Sequence, residues 1–165
     1  LTHRPNDYHP DHRYTSQLVQ DAAFVVTVPL FSPLTPRREK NPVFLYFQDL
    51  FEKPNPFSPD VAVAIDDVLD KKWAMLDAIE SQVYEWLPWL ENKLGEVPQD
   101  QSERLNWLKK TWEPFFMEAT RRSRITLHDR YGNERGDRVY LAEAFEVCEY
   151  GRVPDRKELY AIFPE

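Results

Sequence analysis

The sequence predicts an α/β fold, in which a sheet of short buried strands is covered by helices on both faces. Two short and almost entirely apolar runs, residues 43–47 and 61–65, have the composition of strands that are buried on both faces. Apolar residues recur at helical spacing before the first run and after the second. Helices on both sides of buried strands are typical of an α/β sheet.

The first predicted helix spans residues 10–28. Pro10 suits the first turn of a helix, and apolar residues recur at helical spacing from Tyr14 to Val25. A loop with four prolines, residues 29–42, follows and carries Arg37, Arg38 and Lys40. For this loop we favour a solvated surface segment over a binding role.

Two further helical regions follow the second strand. One begins at Asp66 or Asp67, either of which can cap a helix, and is expected to end at Pro88. The other begins at Asp100 and runs to about Arg122, with an amphipathic pattern and a kink expected at its internal proline. The buried stripe of the first region is predicted to consist of Val68, Met75, Ile79, Val83 and Trp86.

The composition sets limits on the function. A chain of 165 residues with 42% hydrophobic and 14% aromatic residues can bury a core. A net charge of −7 argues against nucleic acid or an anionic membrane as the main partner. The single cysteine, Cys148, excludes an internal disulfide, and no apolar run approaches the ~20 residues that span a bilayer.

The residues with the clearest chemistry lie in the stretch Tyr8-His9-Pro10-Asp11-His12. His9 and His12 lie three residues apart at the start of the first helix, so their side chains can face one side. Asp11 can accept a hydrogen bond from an imidazole N–H and thereby fix which ring nitrogen is free to bind zinc. The alternative is a polar helix start with two solvated imidazoles. We expect His128, which precedes Asp129, to be a surface residue.

The run from Thr2 to Arg13, followed by Gln20-Asp21-Ala22-Ala23, resembles the second motif of the PIG-L (LmbE-like) N-deacetylase family. Ser81-Gln82 and Ala142-Glu143-Ala144-Phe145 are similar to two further family segments. Members of the family are zinc hydrolases that remove acetyl groups from N-acetylglucosamine-type sugars and related amides. The resemblance implies a Rossmann-like three-layer fold, with residues 1–90 as the family core, 91–138 as a helical extension and 139–165 as a C-terminal signature and tail.

The resemblance also implies roles for single residues. His12 would be a ligand of Zn²⁺, and His9 would contact the oxyanion and protonate the leaving amine. Asp11 would orient an imidazole. The substrate-binding residues would be Tyr8, Arg13, Ser81, Gln82 and Glu143.

The first motif of the family, Ala-His-Pro-Asp-Asp-Glu, does not occur in this sequence. The resemblance therefore implies the C-terminal portion of a longer deacetylase, inactive alone, whose N-terminal half would supply the other ligands and the general base. Its expected partners are that missing half and a sugar or glycoconjugate substrate, with no nucleic acid, no membrane span and an oligomer compatible with the sequence. We expect a cytoplasmic location, with any signal peptide on the missing part. The alternative function is a non-catalytic α/β interaction domain with a structural or vestigial HxxH.

Overall fold

In a computed structural model, which describes residues 1–163, the chain forms a mixed α/β structure around a three-stranded antiparallel sheet. The strand order is β1-β3-β2, so the last strand in the sequence lies in the centre. The three strands are β1 (Leu45–Phe47), β2 (Val61–Ala64) and β3 (Ala142–Val147). Phe145 is the register partner of both Phe47 and Val61, so it marks the level at which all three strands meet.

The α/β prediction is confirmed, but the sheet differs from the one expected. Both predicted strands are present and slightly shorter, and they flank β3, which sequence analysis treated only as a signature segment. The sheet of the described residues is antiparallel, so it gives no support for the Rossmann-like arrangement, which is built on parallel strands. A continuous apolar run indicates that a strand is buried on both faces. It does not indicate whether the neighbouring strands are parallel or antiparallel, so the sequence could not predict the strand directions.

Helices surround the sheet. The first begins at Pro10, as predicted, because Pro10 occupies its first turn and His9 caps it by accepting a hydrogen bond from the Asp11 backbone N–H. The α-helices are α1 (Pro10–Val25), α2 (Leu69–Asp77), α3 (Leu87–Leu90), α4 (Gln101–Arg122), α5 (Arg124–Tyr131), α6 (Asn133–Arg138) and α7 (Arg156–Ile162). Short 3₁₀ segments span Asp66–Val68 and Leu94–Glu96, and a π-helix spans Ser81–Trp86.

The buried stripe predicted for the helical region before Pro88 is wrong. Only Val83 of its five residues is buried, whereas Met75 is 72% exposed and Trp73 is buried in its place. The region is not one helix, because it breaks after α2 and continues as a π-helix, which changes the phase of the buried face. Pro88 lies in the first turn of α3 and does not end the segment.

The longest helix, α4, joins the helical region to the sheet. Asp100 caps it by accepting a hydrogen bond from the Ser102 N–H at 2.9 Å, and Pro114 lies inside it, as predicted. Near its C-terminal end, the Thr120 hydroxyl accepts a hydrogen bond from the Ala142 N–H at 2.8 Å, so α4 is tied directly to β3. None of the helices among residues 1–163 combines the length and the apolar character that crossing a bilayer requires.

The core between α4 and the helical region before it can be tested at Leu108, which is completely buried against Val83 and Tyr84. We expect Leu108→Ala to lower the free energy of unfolding by about 2–5 kcal/mol, because it deletes buried apolar contacts and leaves a cavity. Leu34→Ala is the matched control, since Leu34 is 97% exposed and its truncation should change stability by less than about 0.5 kcal/mol. Urea denaturation measures both, and equal losses would contradict this core.

Candidate cation site

The N-terminal segment lies along the edge strand β1. The Thr2 N–H donates to the Leu45 carbonyl at 2.9 Å, and the Phe47 N–H donates to the Thr2 carbonyl at 2.8 Å, which makes a short parallel bridge. His3 follows directly, and the edge of its ring meets the ring of Phe47 with centroids 5.7 Å apart. The bridge therefore fixes the backbone from which the His3 imidazole projects.

Arg4, the residue after His3, anchors the chain on its C-terminal side. Arg4 is 3% exposed, and its guanidinium donates to Asp49 Oδ1 at 2.8 Å and to the Asn55 carbonyl at 2.6 Å. Its Nε also lies 3.6 Å from Glu146 Oε2 on β3. A buried guanidinium needs such partners because an unpaired charge in a low-dielectric environment is strongly unfavourable. His3 is thus held between two anchored residues.

Three side chains of this segment form a compact cluster of potential metal ligands. His3, Asp7 and His12 each offer a ligand atom, and these atoms all lie within 4.8 Å of one another. The imidazoles of His3 and His12 are stacked, with centroids 4.0 Å apart and planes inclined by 2°. Both turn Nδ1 toward the carboxylate of Asp7, at 3.8 Å from His3 and 2.9 Å from His12. We call these three residues the cation cluster.

Asp7 organises the cluster. Its Oδ1 accepts hydrogen bonds from the His9 backbone N–H at 2.9 Å and from His12 Nδ1 at 2.9 Å. A carboxylate can only accept, so neutral His12 carries its proton on Nδ1 and has a free lone pair on Nε2. Nδ1 of both rings faces Asp7, so a cation shared by all three residues would be held by these two nitrogens and the carboxylate, after His12 Nδ1 releases its proton.

The cluster has the donors that a divalent transition metal prefers. Zinc binds imidazole nitrogen and carboxylate oxygen at about 2.0–2.2 Å, so two donors of one ion lie at most about 4 Å apart. The present donors lie within 4.8 Å of one another, so binding one ion would need small side-chain rotations. Burial, and then the nearby His12, lowers the pKa of His3 from its ordinary value of 6.5, which favours the neutral imidazole that binds metal.

Of the two predicted catalytic residues, His9 lies against the cluster and Asp11 points away from it. The His9 ring centroid is 4.9 Å from that of His12, and its Nδ1 accepts the capping hydrogen bond of α1. Neutral His9 therefore carries its proton on Nε2, the nitrogen away from the cap. The Asp11 carboxylate is 86% exposed and lies 3.9 Å from His9 Nδ1, so the position expected for an orienting carboxylate is occupied by Asp7.

Two of the predicted substrate-binding residues lie near the cluster. Tyr8 is exposed, and its ring meets that of His12 edge-on with centroids 5.5 Å apart. Arg13 donates to the carbonyls of Asp7 and Tyr8, at 2.9 Å and 2.8 Å, so it braces the turn that carries the cluster. Tyr8 is consequently the predicted residue best placed to meet a ligand there.

The other predicted substrate-binding residues belong to the helical region and the sheet. Ser81 and Gln82 are exposed at the start of the π-helix, which packs against α3 and α4. Glu143 lies on β3, and its Oε1 accepts a hydrogen bond from Lys72 Nζ at 2.6 Å. The predicted surface residue His128 is paired with Asp137, with 2.7 Å between Nε2 and Oδ1.

His3 and Asp7 belong to the cluster but were not predicted from the sequence. The turn at Pro5 and Asn6-Asp7 brings their two side chains together. The spacing of His3, Asp7 and His12 does not correspond to one helical face, so periodicity gave no signal. The signal that was present is the density of imidazoles and carboxylates within the first twelve residues.

Comparison with known proteins yields a fold relationship. No family model matches the chain, and no curated protein matches it. A solved structure does: GalB, the 4-carboxy-2-hydroxymuconate hydratase from Pseudomonas putida KT2440, superimposes with a TM-score of 0.52 at 17% sequence identity. The match covers 93% of this chain and 52% of the hydratase chain, so the chain spans about half the length of that enzyme.

These findings overturn the assignment to the PIG-L family and the N-deacetylase function that followed from it. The structurally similar protein is a hydratase, and no family model supports the deacetylase or its N-acetylglucosamine-type substrate. The resemblance rested on a short stretch with two histidines and its flanks. Such a stretch contains potential cation ligands at the start of a helix, and ligand types alone do not define a reaction.

The anchoring role of Arg4 predicts a large loss of stability. Arg4→Met should lower the free energy of unfolding by about 3–5 kcal/mol, because it leaves the Asp49 carboxylate without the guanidinium that pairs with its Oδ1. Arg121→Met is the matched control, since Arg121 pairs with Glu118 at the exposed surface, where an ion pair contributes little to stability. Denaturant unfolding measures both, and a similar effect of the two substitutions would refute the anchoring role.

The environment of His3 predicts its titration in the metal-free protein. Its pKa, measured by NMR on the imidazole carbons, should lie below 6.5 and should rise in His12→Ala, which removes both cover and repulsion. Because the pKa is lower in the folded chain than in the unfolded chain, the contribution of His3 to stability is present above about pH 6.5 and is lost as the pH falls through the folded pKa. His128→Ala is the control, and a pKa that responds equally to both substitutions would contradict the arrangement.

Proposed function

We propose that this chain is part of a cation-dependent enzyme of the hydratase type, in which His3, Asp7 and His12 hold a zinc ion that activates water. The observation that carries the proposal is the cation cluster, whose three ligand atoms lie within 4.8 Å of one another. The fold shared with half of a hydratase supports the reaction class. Three protein ligands leave a coordination position open, which is the pattern of catalytic rather than structural zinc sites.

The residues in and around the cluster would have different roles in the reaction. A divalent cation supplies a water of lowered pKa and polarises a substrate oxygen. Both rings would bind the cation through Nδ1, the nitrogen that faces Asp7, after His12 Nδ1 releases its proton. His9, beside His12, would donate a hydrogen bond from Nε2–H to a substrate oxygen, because its Nδ1 is engaged by the cap of α1.

The reaction needs both functions. Adding water to a carbon–carbon double bond places a hydroxyl on one carbon and a proton on the next. A source of hydroxide and a source of protons must therefore both lie next to the bound substrate. A cation held by the cluster would lower the pKa of the water that supplies the hydroxyl, and the proton lost by that water would be the one delivered to the neighbouring carbon. His9 Nε2–H would hold a substrate oxygen by a hydrogen bond. The chain spans about half of the structurally similar hydratase. We therefore propose cation binding and water activation for these residues, and complete catalytic turnover only for a protein as long as that hydratase.

Zinc titration of the metal-free protein tests the proposal. We expect one zinc ion to bind each chain at neutral pH, and His3→Ala, His12→Ala and Asp7→Asn each to weaken binding by at least about tenfold, because each removes a ligand or its orienting group. His128→Ala is the matched control, since His128 also pairs with a carboxylate and its side chain is 29% exposed, against 33% for His3 and His12.

Calorimetry with a competing chelator measures the affinities, and circular dichroism confirms that each variant is folded. Equal affinity in the wild type and in all three cluster variants would show that zinc binds elsewhere and would refute the proposal. Absence of zinc binding in folded wild-type protein would also refute it.

A further inference from the structure

A cavity lies where the sheet steps back beside α4. β1 ends at Phe47, which pairs with Phe145, whereas β3 begins three residues earlier at Ala142. The register with β1 therefore stops at Phe145, and the part of β3 before it faces a space that α4 covers. The cavity holds about 220 Å³ and opens partly to solvent. It lies outside the cation cluster.

Four phenylalanines form part of the cavity wall. Phe47 and Phe145 line it from the sheet, and Phe115 and Phe116 line it from α4, while the ion pair of Lys72 with Glu143 also lines it. Ala119 lies on the same face of α4, one turn further on, and its methyl group leaves the space unfilled. A small side chain facing a void forgoes the packing that stabilises a core, so retained space of this kind is typical of a ligand site.

The size of the cavity limits its ligand. An apolar cavity of about 150 Å³ is enough to bind benzene, so about 220 Å³ admits one six-membered ring, or a planar chain of similar size, with a substituent. Aromatic walls favour a planar, unsaturated ligand, since rings pack edge to face or offset against one another. A larger ligand such as a disaccharide exceeds this space.

The loop after β1 supplies polar groups at one side of the cavity. Gln48 and Asp49 both line it, and each has a buried polar atom, Gln48 Nε2 and Asp49 Oδ2, that has no hydrogen-bond partner among the described residues. One atom is a donor and the other an acceptor. A hydroxyl group both accepts and donates, so a ligand hydroxyl would satisfy both. Buried polar atoms nearly always have a hydrogen-bond partner, so these two atoms indicate that a ligand supplies one.

Phe47 connects the cavity with the cation cluster. Its ring lines the cavity and also meets the ring of His3 edge-on, with centroids 5.7 Å apart. We infer that this cavity binds the planar apolar part of a small hydroxyl-bearing unsaturated substrate and holds it next to the cation. The part of the inference that concerns the cation rests on the proposed function, whereas binding in the cavity does not.

Binding of 4-fluorophenol, followed by ¹⁹F NMR, tests the inference on the full chain. The probe has one ring, one hydroxyl and one fluorine reporter, and fluorobenzene is the matched probe without the hydroxyl. We expect 4-fluorophenol to bind with millimolar or better affinity, and fluorobenzene at least about threefold more weakly. No binding of 4-fluorophenol to the folded protein would overturn the inference.

Two substitutions on α4 locate the bound probe. Ala119→Leu fills the cavity with a residue that favours helix, so the fold should be retained while affinity falls at least tenfold. Phe115→Ala removes one half-exposed wall and should weaken binding severalfold. Ala74→Leu on the exposed face of α2 and Phe31→Ala in an exposed loop are the controls, and both should bind normally. Unchanged affinity in both cavity variants would overturn the inference.

Manganese separates the inference from the proposed function. In the wild type, Mn²⁺ at the cluster should enhance relaxation of the bound fluorine, and His12→Ala should abolish this effect while the probe still binds. Probe binding without enhancement, in protein that demonstrably holds Mn²⁺, would overturn the placement next to the cation. Failure to bind any cation would refute the proposed function instead, and loss of probe affinity in Ala119→Leu would still support the cavity as a ligand site.

Discussion

The candidate site depends on the attachment of the N-terminal segment to the sheet through Thr2 and Arg4. Thr2 makes a two-bond bridge to β1, and Arg4 buries its charge between the loop after β1 and β3. Neither contact touches the ligand atoms themselves. Together they turn a short irregular segment into a rigid support, so the His3 imidazole has one position relative to α1, which carries His12. Precision at a metal site comes from such supporting contacts as much as from the ligands.

The electrostatics of the cluster follow from this support. Two imidazoles held face to face repel each other when both are protonated, and burial adds to the preference of His3 for its neutral form. One carboxylate, Asp7, faces Nδ1 of both rings and is held by the backbone N–H of His9. The fold thereby brings three potential cation ligands together around one negative charge.

Much of the local structure could be predicted from the sequence, whereas the long-range arrangement could not. Pro10 and Asp100 located the starts of α1 and α4, because capping depends on neighbouring residues. The apolar runs located β1 and β2, but pairing with β3 involves residues about 80 to 100 positions away in the sequence and leaves no periodic signal. The π-helix that begins at Ser81 has more residues per turn than an α-helix, so it rotates the buried face. Counting residues at α-helical spacing cannot detect this change. The site was predicted in part: His12 by its spacing from His9, but not His3 and Asp7, which join it through a turn.

The cap of α1 has a consequence for the mobility of His9. Its Nδ1 accepts the Asp11 N–H, so the imidazole is held by the first turn of the helix that follows it. Rotation of the ring would break this hydrogen bond and leave a helix N–H without a partner. A side chain that also serves as a helix cap keeps its place, so any ligand of His9 has to approach Nε2 from the side away from the helix.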